Sequence, residues 1–159
     1  MNEKQSYTLN PIGRVLRDDD GVHIEIDEAF RPALAQLQHF SHVIVLWWAD
    51  RLDDEEYRKI LQTRPPYAGE RVTGVFATRA EYRPNPIALT TCPLLGVDEE
   101  AGRLHVANID AVEGTPVVDL KAYFPVCDRV REVSIPDWLE GWPEWMPDQG
   151  LEPEIYEAD

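Results

Sequence analysis

The sequence predicts a mainly β protein: a small closed or nearly closed antiparallel β-barrel with one or two short helices and an irregular C-terminal arm. Three observations carry this. About seven short segments are apolar at period two or as β-branched runs, the pattern of half-buried or buried strands. Clusters of Asp, Gly, Asn and Pro separate them at short intervals, too short for the roughly 10–15-residue helices of an alternating α/β chain. Helical patterning occurs only twice and briefly. A chain of 159 residues supports one core, with residues 1–135 forming the barrel domain. Residues 136–159 add a Trp- and Pro-rich arm and an acidic tail packed on the same domain.

Taken in order, Tyr7 to Arg17 reads as an opening strand broken near Pro11 and Gly13, and Asp18-Asp19-Asp20-Gly21 as a tight turn. Val22 to Ile26 alternates and pairs back as a hairpin. Asp27 is placed to cap a short helix that tolerates Pro32 in its first turn and turns Leu34 and Leu37 inward. Phe40 to Trp48 is nearly continuous apolar sequence, short and β-branched, hence a central strand. Asp53-Asp54-Glu55-Glu56 resembles a capping box, and Tyr57, Ile60 and Leu61 give the helix after it an apolar side. Pro65-Pro66 ends it. Val72 to Thr78 is a strand leading into the loop from Arg79 to Pro86. Ile87 to Leu95 and Leu104 to Ala111 are strands joined by a turn at Asp98 to Gly102, and Val117 to Tyr123 is another. Trp138, Trp142, Trp145 and the prolines around them suggest an irregular arm.

Composition narrows the function. No apolar run approaches the ~20 residues of a membrane span, and no signal peptide follows Met1, so the expected address is the cytoplasm. Cys92 and Cys127 are then free thiols rather than a disulfide. The net charge of -15, from 30 acidic and 15 basic residues, repels nucleic acid over most of the surface. Arg71, Arg79 and Arg83 reverse that balance locally, whereas Asp148 to Asp159 holds five acids and no base. No Gly-x-Gly-x-x-Gly, Walker loop or Cys-x-x-Cys is present. His39 and His42, three apart at a strand start, do not share a face, and no metal site is expected.

Two segments stand out as carriers of chemistry. In Gly74 to Leu89, Pro84 and Pro86 stiffen a loop that aims Arg79, Arg83 and Asn85 from a strand end. Such preorganised donors suit an anionic or polar ligand, and equally a rigid connection whose arginines pair with local carboxylates. In Asp110 to Pro125, Gly114 permits a bend, and the strand after it puts Asp119, Lys121 and Tyr123 on one face. An acid, a base and a phenol in line can transfer protons, or form a solvated, salt-bridged surface.

With Pro11-Ile12-Gly13-Arg14-Val15 and Phe40-Ser41-His42-Val43, these segments resemble the TsaA-like (TrmO-type) family. Its members carry the same proline-isoleucine-glycine start and phenylalanine-serine-histidine strand, a "GVFATRSPFRPNPIGLS" loop and a "DGTPVLDIKPY" strand. The resemblance covers most of residues 9–125 and implies a small β-barrel that dimerises and uses S-adenosylmethionine. It implies methylation of the exocyclic nitrogen of threonylcarbamoyl-adenosine in certain transfer RNAs. By matched position the cofactor residues are Asp50, Arg51, Arg79, Asp110, Val112, Glu113, Gly114 and Thr115. Arg83 and Asn85 fall on the substrate side, and Asp119, Lys121 and Tyr123 in the acid–base strand. The chain differs from the pattern at Ala80-Glu81 in place of Ser-Pro, at Glu113 in place of Asp, and at Ala122 in place of Pro. It also has Asp50 where histidine is common, and the Asp18 to Gly21 turn in place of a longer cofactor-contacting loop.

The resulting expectation is an S-adenosylmethionine-dependent methyltransferase, with Asp119 or Tyr123 as the base, Asp110 and the Trp47 or Trp48 face favouring the sulfonium, and transfer RNA as acceptor. Two alternatives follow from the same residues. The acid excess favours a small-metabolite acceptor, and a non-catalytic S-adenosylmethionine- or nucleoside-binding regulatory module would bind without turnover.

Overall fold

The computed structural model describes residues 4–147 and 150; the acidic tail, Gly150 apart, lies outside the described residues. Strand β1 (Gly13–Asp18) turns into β2 (Gly21–Ile26) where the acidic run predicts it, with Gly13↔Ile26 through Asp18↔Gly21 in antiparallel register. Asp18 Oδ1 accepts the Asp20 amide at 2.9 Å, and Gly21 sits at φ 119°, a conformation that costs glycine little. Alternation then buries Val15, Ile24 and Ile26 on one face.

The main sheet closes into a six-stranded antiparallel barrel in the order β1-β2-β7-β6-β3-β8. Strand β3 (His42–Trp48) is central, as its apolar run requires, flanked by β6 (Ile87–Asp98) and β8 (Pro116–Ala122). At 12 residues, β6 is long enough to pair β3 with its first half and β7 (Arg103–Val106) with its second. Gly13↔Val117 completes the ring between β1 and β8. Inward residues of all six strands, among them Val15, Ile24, Val43, Val45, Cys92, Leu104 and Val117, form the core at 0% exposure. The closed antiparallel barrel is therefore the architecture that the strand spacing predicts.

Several boundaries differ from expectation, each for a reason of hydrogen bonding. The opening strand starts only at Gly13: Pro11 has no amide to donate, and Ile12 bonds outside the regular ladder, its amide to the Val117 carbonyl at 2.8 Å and its carbonyl to the Asp27 amide at 2.9 Å. Asp27 precedes a 3₁₀ turn (Glu28–Leu34) but caps it through its backbone carbonyl, which accepts the Phe30 amide, and not through its side chain. Leu34 is buried and Leu37 packs on the core, as expected. Helix α1 (Glu55–Arg58) is a single turn capped by the Asp54 carboxylate, and Leu61 beyond it stays exposed instead of lining an apolar side. Helix α2 (Pro125–Asp128), another single turn, has no counterpart in the sequence reading.

The segment Val72 to Thr78 is not one strand. Only β5 (Thr73–Gly74) pairs, with β4 (Gln62–Thr63), before Val75–Ala77 winds into a 3₁₀ turn. The Thr78 hydroxyl donates to the Val75 carbonyl at 2.8 Å, giving the chain a partner other than a neighbouring strand. Likewise β7 stops at Val106, and the residues expected to extend it to Ala111 leave the sheet to wall a cleft. In the segment after Pro136, Trp138 stacks on Tyr67 at 5.9 Å and 16°, and Trp142 meets it edge-on at 5.1 Å and 71°. Cys92 and Cys127 are free, and no described helix is long and apolar enough to cross a membrane.

Candidate functional site

A cleft of about 1190 Å³ lies on one side of the barrel. Leu89, Thr90 and Thr91 of β6 line it, with the loop residues Thr78 to Tyr82 and the departing segment Asn108, Ile109 and Asp110. Thr63, Pro65, Pro66 and Tyr67 contribute from the β4 side, and Leu139, Trp142 and Met146 from the arm. Ordinary small-molecule sites occupy roughly 300–1,000 Å³, so this cleft has room for a nucleoside-sized ligand and part of a second reactant.

Its central charge is Asp110. Thr90 Oγ1 donates to Asp110 Oδ1 at 2.6 Å, and Trp47 Nε1 donates to Thr90 Oγ1 at 3.0 Å, so a core indole, a strand hydroxyl and a carboxylate form one oriented relay. The Asp110 charge is felt around it. Burial first, and Asp110 second, push the Glu81 carboxyl above its ordinary value; the same two causes push the Cys92 thiol up to about 12. Arg79 lines the same cleft, exposed and without a carboxylate partner among the described residues.

The loop bearing Arg79 and Glu81 is held by side chains that the sequence does not flag for this purpose. Arg83 donates to the carbonyls of Val75, Thr78 and Ala80 at 3.1–3.4 Å, and the Tyr82 hydroxyl meets Thr63 Oγ1 at 2.8 Å. Arg58, ion-paired to Asp53 and 5.6 Å over the Trp48 ring, reaches the Pro84 carbonyl at 3.2 Å. The Arg58 guanidinium in turn holds the Asp53 carboxyl below its usual range. Across the cleft, Arg17 Nη2 donates to both the Ile109 and Ala111 carbonyls, clasping the residue between them, while its amide donates to the Glu113 carboxylate. Removing that clasp in Arg17→Ala leaves part-buried carbonyls unsatisfied, a loss of about 1–3 kcal/mol. Urea denaturation should show it as a lowered midpoint.

A family model described as the tRNA-methyltransferase O N-terminal domain matches residues 5–129. The chain belongs to this family. A probable S-adenosyl-L-methionine-binding protein of Archaeoglobus fulgidus is 42% identical over 120 residues, covering 75% of this chain and 30% of that protein. An S-adenosyl-L-methionine-binding protein of the same organism is 37% identical over 128 residues, covering 80% and 87%. The tRNA (adenine(37)-N6)-methyltransferase of Mus musculus is 36% identical over 103 residues, 65% of this chain and 23% of that one. A crystal structure of TrmO from P. aeruginosa superposes with TM-score 0.66 at 27% identity, covering 86% of this chain and 63% of that chain. The chain thus spans less than a third of the first relative and under two thirds of that solved structure.

Within this tRNA-methyltransferase O domain the sequence-derived residues fall into groups. Arg79 and Asp110 both line the cleft. Asp50 and Arg51, in the 3₁₀ turn Asp50–Leu52, are exposed beside Leu52, which lines it. Val112, Glu113, Gly114 and Thr115 do not line it: the Gly114 amide bonds the Val15 carbonyl at 2.8 Å, and Thr115 is buried against β1. Arg83 is engaged with backbone carbonyls rather than facing the cleft, and the Asn85 carbonyl accepts the Ile87 amide at 2.7 Å. Asp119 and Lys121 form an ion pair at 2.9 Å on the outward face of β8, and Tyr123 sits 6.1 Å from the His42 ring. Asp119 lines a separate pocket of about 310 Å³ with Ile12, Leu34 and Phe40.

Residues that the sequence reading passed over include Thr90, Glu81, Tyr82, Asn108 and Arg17. Thr90, a half-buried hydroxyl in a mainly apolar strand, is a legible polar signal. Arg17 has none, since its partners lie 92 to 96 positions away.

Proposed function

We propose that this chain is an S-adenosylmethionine-dependent methyltransferase whose reaction takes place in the Asp110–Arg79 cleft, with an adenosine nitrogen of transfer RNA as acceptor, threonylcarbamoyl-adenosine in particular. The observation that carries it is the opposed charge on one cleft: a carboxylate fixed by Thr90 and an arginine without a carboxylate partner among the described residues. A methionyl sulfonium carries one positive charge at sulfur and a carboxylate at its far end, and the cleft offers a counter-charge to each. When bound, the cofactor supplies an electrophilic methyl group. Asp110 sets the potential where positive charge sits, Arg79 holds the carboxylate end, and the Tyr67–Trp142 side offers ring faces to a planar reactant. The mouse relative, a tRNA (adenine(37)-N6)-methyltransferase, supports the acceptor.

The same reading makes the functional unit a homodimer. The exposed Val112, Glu113 and Gly114, with Asp119, Lys121 and Tyr123, lie outside their own chain's cleft, and would enter a site across a subunit boundary. Calorimetry should give saturable binding of S-adenosylmethionine, and labelled-methyl transfer should go into unfractionated transfer RNA. Binding without incorporation into RNA removes the RNA acceptor.

A second acceptor class has its own support. The arm that edges the cleft carries Asp137, Glu140 and Glu144 and, between residues 136 and 147, no Lys or Arg. That rim disfavours a polyanion and suits a small metabolite. Label appearing in a small-molecule extract, but not in RNA, would decide for it.

A further inference from the structure

Two carboxylates enter the cleft, and their surroundings differ. Asp110 is hydrogen-bonded by Thr90, whose hydroxyl is itself held by Trp47, so its anionic form has a fixed donor. Glu81 has none: it makes no hydrogen bond or ion pair with any described residue, is half-buried, and faces the cleft from a loop made rigid by Arg83, Thr78 and Tyr82. It stands where the family pattern has Ser-Pro, so the carboxylate is a feature of this chain.

Building on the methyltransferase reading, we infer that Glu81 is the residue that takes the proton from the acceptor nitrogen. The nitrogen–methyl bond forms as the sulfur–methyl bond breaks, the electron pair of the latter returns to sulfur as a neutral thioether, and the proton displaced from nitrogen passes to the Glu81 carboxylate. Asp110, held by the Thr90 hydroxyl, is the counter-charge. The division follows from environment: Asp110 has a fixed hydrogen-bond donor in Thr90, whereas Glu81 has none among the described residues and is free to take a proton. Burial and the Asp110 charge raise the Glu81 carboxyl above its ordinary value, the direction that strengthens it as a base. Among the described residues, the charged and titratable groups lining the cleft around it are Arg79 and Tyr82 of its own loop, Tyr67 across the cleft, and Asp110.

The test uses the full chain. Carboxyl-carbon NMR should give Glu81 a midpoint above the ordinary glutamate value, falling in Asp110→Asn as the repulsion is removed. An ordinary midpoint, indifferent to Asp110→Asn, overturns the inference whatever the acceptor is. In methyl transfer to unfractionated transfer RNA, kcat should rise with pH along a limb set by Glu81. Glu81→Gln should erase that limb and lower kcat about 100-fold or more, with S-adenosylmethionine affinity kept in calorimetry; Glu81→Asp should retain the limb at a reduced rate. An unchanged pH profile in Glu81→Gln refutes the role. Failure of the wild type to bind S-adenosylmethionine instead refutes the methyltransferase reading, while the NMR midpoint still judges Glu81.

Discussion

Asp110→Asn is expected to lower kcat/KM for methyl transfer by about 100- to 1000-fold while leaving the fold intact, the scale seen when one preorganised electrostatic contact is removed from a reacting centre. The substitution is nearly isosteric, and the amide oxygen can still accept the Thr90 hydroxyl that lies 2.6 Å from Asp110 Oδ1. What is lost is the charge. A carboxylate held in place by a strand hydroxyl and a core indole needs no reorganisation to face a cation, whereas water would have to reorient. Affinity for S-adenosylmethionine, measured by calorimetry, should fall with the rate. Affinity unchanged from wild type would remove Asp110 from the cofactor site.

Gly13→Ala should be the most damaging small substitution in the barrel. A Cβ there would lie 2.0 Å from the Glu25 carbonyl oxygen and 3.1 Å from the Ile26 Cα, both backbone atoms of the paired strand β2. No side-chain rearrangement relieves that overlap, so β1 and β2 must part. Overpacking of this kind costs about 1–3 kcal/mol, more when backbone has to move, and the upper end or beyond is expected here. Gly13 also pairs with Val117, so the displacement reaches the seam that closes the barrel and, through β1, the Arg17 clasp on the Asp110 segment. Equilibrium urea unfolding should show a large drop in midpoint and weaker cofactor binding together; a midpoint equal to wild type would mean that the strands have slack the structure does not display.

Both substitutions bear on how far the chain could be read without coordinates. The β3 run, the Asp18–Gly21 hairpin turn and the period-two strands were legible because each depends on side chains only a few positions apart. Closure of the sheet followed from short strands with repeated turn signals. Boundaries were less legible. Whether Val75 to Ala77 extends a strand or winds into a 3₁₀ turn depends on Arg83 and Thr78 capturing the Val75 carbonyl, and whether β7 ends at Val106 depends on Arg17 clasping residues 109 and 111. Neither contact leaves a periodic trace.

The site divides in the same way. Arg79 and Asp110 could be singled out from their segments, but Arg83 could not be told apart from a ligand-facing arginine, because both lie on one stiff loop and differ only in which carbonyls come within 3.1–3.4 Å. Asp119 and Lys121 share a face, as alternation requires. That this face points outward, into an ion pair, depends on how β8 sits between β1 and β3. Element type, hairpin turns and the residues with chemistry to offer are written in local order along the chain, where interactions are short-range and periodic. Which of those residues share a pocket rests on barrel closure and on bonds spanning more than ninety positions, and pairings of that range are set by the packing of the whole chain.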